Sequence, residues 1–122
     1  MTASVMLTPT ASEHFRAVLR YTKQKYGSEH MQKYSALLKQ GLNEIPSNHK
    51  NDANKRLNLK EGTGFELQHV QHYYVVYKII RKNIFVIVAI FHHNMDIPKR
   101  LKEIQNLSDK EIAILKNRLT VH

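Results

Sequence analysis

The spacing of apolar positions changes along the chain, and each change marks an element. A short run from Val5 to Leu7, closed by Thr8 and Pro9, predicts an opening strand that turns at once into a helix. Thr10 and Glu13 stand at capping-box spacing, and Ala11, Phe15, Val18, Leu19 and Tyr26 then fall on one helical face, with Thr22 as its polar member. Gly27 ends this helix. Ser28 caps a second one, in which Met31, Tyr34, Leu38, Leu42 and Ile45 keep the period until Pro46 stops it. Two amphipathic helices joined by so short a turn predict an antiparallel pair, with their Tyr and Met side chains packed in a core.

Residues 47–56 are rich in Asn, Lys and Asp without an apolar period, which predicts a solvated loop. The period then becomes that of strands. Phe65 to Val70 forms one, while Tyr73 to Ile80 and Ile84 to Phe91 are β-branched and aromatic runs separated only by Arg81, Lys82 and Asn83, a hairpin. The second arm is apolar throughout, as expected of a central strand covered on both faces. The helical pair is the expected cover on one side and the C-terminal segment on the other. Past Pro98, Leu101, Ile104 and Leu107 predict a helix, and Ser108 with Glu111 repeats the capping-box spacing before a last helix through Ile112, Leu115 and Leu119. The fold class is therefore α+β: an N-terminal strand, a helical hairpin packed on a small, mainly antiparallel sheet, and a C-terminal helical extension. No repeat or linker divides the chain, so residues 1–122 are expected to form one domain, with 1–100 as its core and 101–122 as the extension.

Composition adds compartment and partner class. No Cys is present, so no disulfide framework or thiolate metal site is available, and a reducing cytoplasm is the expected location. No leader pattern or membrane-spanning run is found. Nineteen Lys and Arg against ten Asp and Glu give a formal charge of +9, a surface that attracts polyanions or an acidic protein.

Candidate chemistry gathers after the apolar strand, in His92, His93, Asn94, Met95, Asp96, Ile97, Pro98, Lys99 and Arg100. Imidazoles exchange protons near neutral pH, and adjacent cations stabilise phosphate charge. The same pattern also suits a structural reading, in which Asp96 caps the following helix, Pro98 sits in its first turn and Lys99 and Arg100 are solvated. The hairpin tip, Arg81, Lys82 and Asn83 with Lys78, is a second basic site with Tyr73, Tyr74 and Tyr77 near it in sequence, suited to phosphate contact or base stacking. His69, His72, His92 and His93 match no zinc spacing, and no glycine-rich phosphate loop is present, so neither metal nor cofactor is expected.

From VMLTPTASEHFRAVLRYTKQKYG, through the helix ending at LNEIP, to YYVVYKIIRKNIFVIVAIFHHNMDIPKRL, the chain resembles the RelE/ParE superfamily of toxins, nearest to the ParE-like, plasmid-stabilisation branch. The resemblance covers about the first hundred residues and implies the fold already read. It also implies a bacterial growth-inhibiting protein of a type II toxin–antitoxin system, bound by a cognate, often acidic antitoxin. ParE-like members poison DNA gyrase without turnover; on that reading Arg81, Lys82, His92, Asp96, Lys99 and Arg100 contact the target. RelE-like members cleave messenger RNA on the ribosome without metal; on that reading Lys78, Arg81, His92 and His93 are the catalytic candidates. A third reading is an inactive homologue kept as a binding module. A homodimer or a hetero-oligomer with antitoxin fits each of these. Where the branch commonly has His-Gly, a small residue and a basic one, this chain has His92, His93, Asn94 and Met95, and the helix from Ser108 to Val121 extends past the usual end of the family.

Overall fold

Strand β5, Ile84–His92, is the axis of the molecule and is buried along nearly all its length. The computed structural model describes residues 3–51, 56–57, 65–81, 83–92 and 97–120. In chain order these form β1 (Ser4–Leu7), α1 (Pro9–Tyr26), α2 (Ser28–Asn43), α3 (Ile45–Asn51), β2 (Arg56–Leu57), β3 (Glu66–Val70), β4 (Tyr73–Ile80), β5 and α4 (Ile97–Thr120). The sheet order is β1-β5-β4-β3-β2, with β1 parallel to β5 and the remaining pairs antiparallel.

Both faces of β5 are covered, as its unbroken apolar run predicts. On one face Ala11, Val18, Leu38, Leu42 and Ile45 from the helices pack on Val75, Tyr77, Phe85, Ile87 and Ile90. On the other, Ile112 and Leu115 of α4 pack on Val76, Val86, Val88, Ala89 and Phe91.

A bulge breaks the alternation of β5. Val76 pairs with Ala89 but Tyr77 pairs with Ile87, so Val88 is an extra residue on β5. Val88 and Ala89 consequently share the α4 face, and the phase of the strand is inverted beyond them. Strict alternation from Phe85 would put His92 on the α4 side; the bulge turns Ile90 and His92 toward the helical pair instead.

Several local expectations are corrected. The N-cap of α1 is Thr8, whose Oγ1 accepts from the Ala11 N–H at 3.1 Å, with Pro9 in the first turn. Glu13 instead pairs with Arg16 and Arg20, and Thr10 is engaged by α4. Gly27, not Ser28, precedes the second helix, and its φ of 93° is open to glycine but strained for other residues. Pro46 does not end helical structure: after Glu44 the chain re-enters a helix in which Pro46 occupies the first turn, where its missing N–H has no helical partner to lose. The expected loop at residues 47–56 is therefore helical to Asn51, and Arg56 lies in β2. The two C-terminal helices are one, because nothing between Leu107 and Asp109 breaks a helix; Ser108 is a buried interior residue, and Glu111 does not cap it.

Candidate functional site

At the C-terminal end of β5 the sheet runs beyond its parallel neighbour. The last β1 residue, Leu7, is opposite Ile87, so the later β5 backbone needs another partner on that side. His14 of α1 supplies it, its Nδ1 accepting the Ile90 N–H at 3.1 Å. Because a backbone N–H only donates, this bond places the neutral ring's proton on Nε2. Burial lowers the His14 pKa below its ordinary value, while Glu111 and Glu13 act in the opposite direction.

Around His14, α1 and the strand ends enclose a cleft of about 670 Å³, whose lining includes Val18, Tyr21, Tyr73, Ile90, His92 and Arg100. A second cleft of about 400 Å³ shares Tyr21, Tyr73 and His92 and continues to Lys25, Tyr26, His30 and Tyr34. The Tyr73 and His92 rings meet edge to face at 5.5 Å. Burial pushes the Tyr73 hydroxyl pKa up, as do the neighbouring Tyr34 and Tyr21. Tyr34 has a buried hydroxyl that makes no hydrogen bond of ordinary geometry; burial raises its pKa, with the His72 backbone acting the other way.

The outer wall of the second cleft is a ladder of rings and charge. Lys25 Nζ lies 3.1 Å from the Tyr21 hydroxyl and 5.6 Å from the ring centroids of both Tyr21 and Tyr26. Tyr26 in turn stacks at 4.8 Å on His30 of α2. The Lys25 pKa is raised, first through the hydrogen bond to Tyr21. Tyr26 is expected in the core, but it is 56% exposed, since it lies in the last turn of α1, where Lys23 to Tyr26 are all exposed.

The structure separates the sequence-predicted site residues into groups. Lys78 faces α4, where it pairs with Asp109 at 3.6 Å and lies 4.9 Å from the Phe65 ring centroid. Its β5 partner is Val86, whereas Tyr73 is opposite His92; six residues of strand, about 20 Å, therefore separate Lys78 from His92, and the two face opposite sides of the sheet. Arg81, exposed at the hairpin tip with φ 52°, is farther still from His92. Tyr77 is wholly buried and hydrogen-bonded to Gln68, and Tyr73 lies at the other end of β4 from Arg81, so neither adds a stacking surface to the tip. Lys99 and Arg100 are exposed in the first turn of α4, where Arg100 pairs with Glu103 at 3.5 Å. Lys82, His93 and Asp96 lie outside the described residues.

His14, Tyr21, Lys25 and Tyr34 were not singled out from sequence as site residues. Their signal was present in the spacing: His14 and Tyr21 are seven apart, Tyr21 and Lys25 four apart, which puts all three on one flank of α1 beside its apolar stripe. Among the described residues, no three His, Asp or Glu side chains gather as a metal site.

A family model described as the ParE toxin of the type II toxin–antitoxin system parDE matches residues 5–97, from within β1 to the first residue of α4. Among solved structures, the chain is similar to one from the chromosomal ParDE toxin–antitoxin system of P. aeruginosa. The TM-score is 0.54 at 16% identity, over 75% of this chain and 96% of that one. A conserved hypothetical protein from Helicobacter pylori aligns at TM-score 0.42 and 14% identity over 75% of this chain and 96% of its own. No curated protein matches the sequence significantly.

Proposed function

Because the chain belongs to the ParE toxin family of type II toxin–antitoxin systems, we propose that it arrests bacterial growth by poisoning DNA gyrase and is neutralised by a cognate antitoxin. The observation that carries this reading is the family match over residues 5–97, which spans the strand, helical hairpin and sheet on which the basic strand end is built.

Placement of charge supports a binding inhibitor over an enzyme. A metal-independent ribonuclease needs its proton-transfer group and phosphate-holding cations within hydrogen-bond reach of one substrate. Lys78 and Arg81 stand far along the hairpin from His92, and Lys78 is already engaged by Asp109. A gyrase-binding protein has no such requirement. Arg81 at one end and His92, Lys99 and Arg100 at the other are two contact regions on the rim of the sheet, with Lys82 and Asp96 as sequence neighbours of each.

The formal charge of +9 suits an acidic antitoxin, whose association would be accelerated by long-range attraction and slowed by salt. In this reading the protein acts in the cytoplasm, where gyrase and its DNA are found.

Induced expression in a bacterial host tests the proposal. Growth stops, the reporter plasmid loses negative supercoiling, and co-expression of the antitoxin encoded beside the toxin restores both. Growth arrest with normal plasmid supercoiling would point to another target, and unimpeded growth to an inactive homologue.

A further inference from the structure

We propose that the paired clefts between α1, α2 and the β4–β5 strand ends bind a nucleotide unit, its base against the tyrosines and its phosphate toward Lys25 and Arg100. This stands apart from the gyrase reading: it shares His92 and Arg100 with it but rests on Tyr21, Lys25, Tyr26 and Tyr34, which that reading does not use.

The clefts, about 670 and 400 Å³, fall within the size range of small-ligand sites and join at Tyr21, Tyr73 and His92. None of the described lining residues is an Asp or Glu, in a chain whose overall charge is +9. With Lys25 and Arg100 as its charged members, that lining favours anions. Aromatic surface is abundant: Tyr21 and Tyr26 remain 54% and 56% exposed, with Lys25 beside both rings and His30 stacked on one side of Tyr26. Large exposed rings flanked by a cation are the elements from which base-stacking sites are built.

Tyr34 supplies a second, independent observation. Its hydroxyl is buried at the cleft wall beside the His72 backbone, with which it makes no hydrogen bond of ordinary geometry. Such a group costs stability unless something completes it, and a ligand carbonyl, ring nitrogen or phosphate oxygen would do so. His14 adds a donor of fixed orientation: with Nδ1 committed to Ile90, its Nε2–H is the group left for a ligand acceptor in the adjoining cleft.

The test uses the purified full chain and two probes, AMP followed by calorimetry and a fluorescein-labelled octadeoxyadenylate followed by anisotropy. Binding of AMP at an affinity near that of the oligonucleotide identifies a free nucleotide as the ligand; binding of the oligonucleotide alone identifies a single strand. In either case Tyr21→Ala and Tyr26→Ala each weaken binding by about tenfold without altering its salt dependence, because a stacked ring is removed and no charge. Lys25→Gln weakens it with a shallower salt slope. Lys110→Ala, at an exposed α4 position that lines neither cleft, leaves the tyrosine-dependent affinity in place. Both tyrosines are exposed enough for the variants to fold, which thermal melts check. The proposal is overturned if neither probe binds, if the tyrosine variants bind like the parent chain, or if polyglutamate displaces the oligonucleotide as readily from Tyr21→Ala as from the parent.

Discussion

Glu111 and Thr10 are 101 positions apart, yet the Glu111 carboxylate accepts the Thr10 backbone N–H at 3.0 Å and the Thr10 hydroxyl besides. The contact places a negative charge at the N-terminus of α1, satisfies one of its unpaired N–H groups, and anchors the middle of α4 to the opening of the domain. Of the two residues, Thr10 lies within the part of the chain that the family model matches and Glu111 beyond it, since the match ends at residue 97.

Replacing Glu111 by Ala leaves that N–H and hydroxyl without their acceptor in a nearly buried position, and stability should fall by about 1–3 kcal/mol. Glu111→Gln keeps one acceptor oxygen and should lose less. Urea unfolding measures both; an unchanged midpoint in Glu111→Ala would show that α4 is held by its apolar contacts alone.

His14 makes stability sensitive to acid. Its pKa is held below 6.5 in the folded state, so between 6.5 and the lower folded value the unfolded chain binds more protons. The contribution is fully present above the unfolded value and is lost as pH falls through that window. In His14→Asn the amide Oδ1 stands at the position of Nδ1 as acceptor for Ile90 and nothing titrates there, so stability should decline less steeply than in the parent as pH falls below 6.5. Parallel pH profiles for parent and variant would contradict the assignment.

Gly41 of α2 faces β3 at a distance that admits no side chain. A Cβ there would sit 2.4 Å from Val70 Cγ1, and Val70 is buried. Gly41→Ala gains up to about 1 kcal/mol of helix propensity. Overpacking costs about 1–3 kcal/mol where the neighbour has no room to retreat, so the net effect should be destabilising. A raised melting temperature in this variant would mean that α2 and β3 adjust freely.

The Tyr77 hydroxyl accepts from Gln68 Nε2 at 3.0 Å and meets His49 Nδ1 at 2.8 Å, while the same Gln68 amide donates to the Ile45 carbonyl. This network fastens α3 to the sheet. Tyr77→Phe preserves the ring packing on Phe85 but strips Gln68 and His49 of their shared partner, at a cost of about 1–3 kcal/mol. Hydrogen exchange should show it first in α3, and uniform protection there would argue that the helix is held otherwise.

The layered fold was legible because its determinants are periodic: the two helical stripes and the unbroken apolar run of β5 each name a buried surface, and the sheet between two covers follows from them. What sequence concealed were long-range pairings without a local signature. Glu111 stands three after Ser108 and reads as a capping box, but its partner is Thr10, because the helix was already under way when Ser108 was reached. Pro46 reads as a stop, yet a proline is equally suited to open a helix, and the choice depends on packing of Ile45 into the core. The site was legible only in part. His92, Lys99 and Arg100 were marked by their cluster, whereas the Val88 bulge, which sends His92 to the α1 side and away from Lys78, is set by pairing with β4 and leaves no trace in β5 alone.

The most direct test of the central claim is gyrase-catalysed supercoiling of relaxed plasmid with the purified protein added, scoring both supercoiled product and cleaved DNA. Gyrase poisoning gives loss of supercoiling with accumulation of cleaved plasmid, reversed by antitoxin and weakened by combined substitution of Lys99 and Arg100 with Ala. Normal supercoiling at concentrations that stop growth in cells would contradict it and move the target to the ribosome.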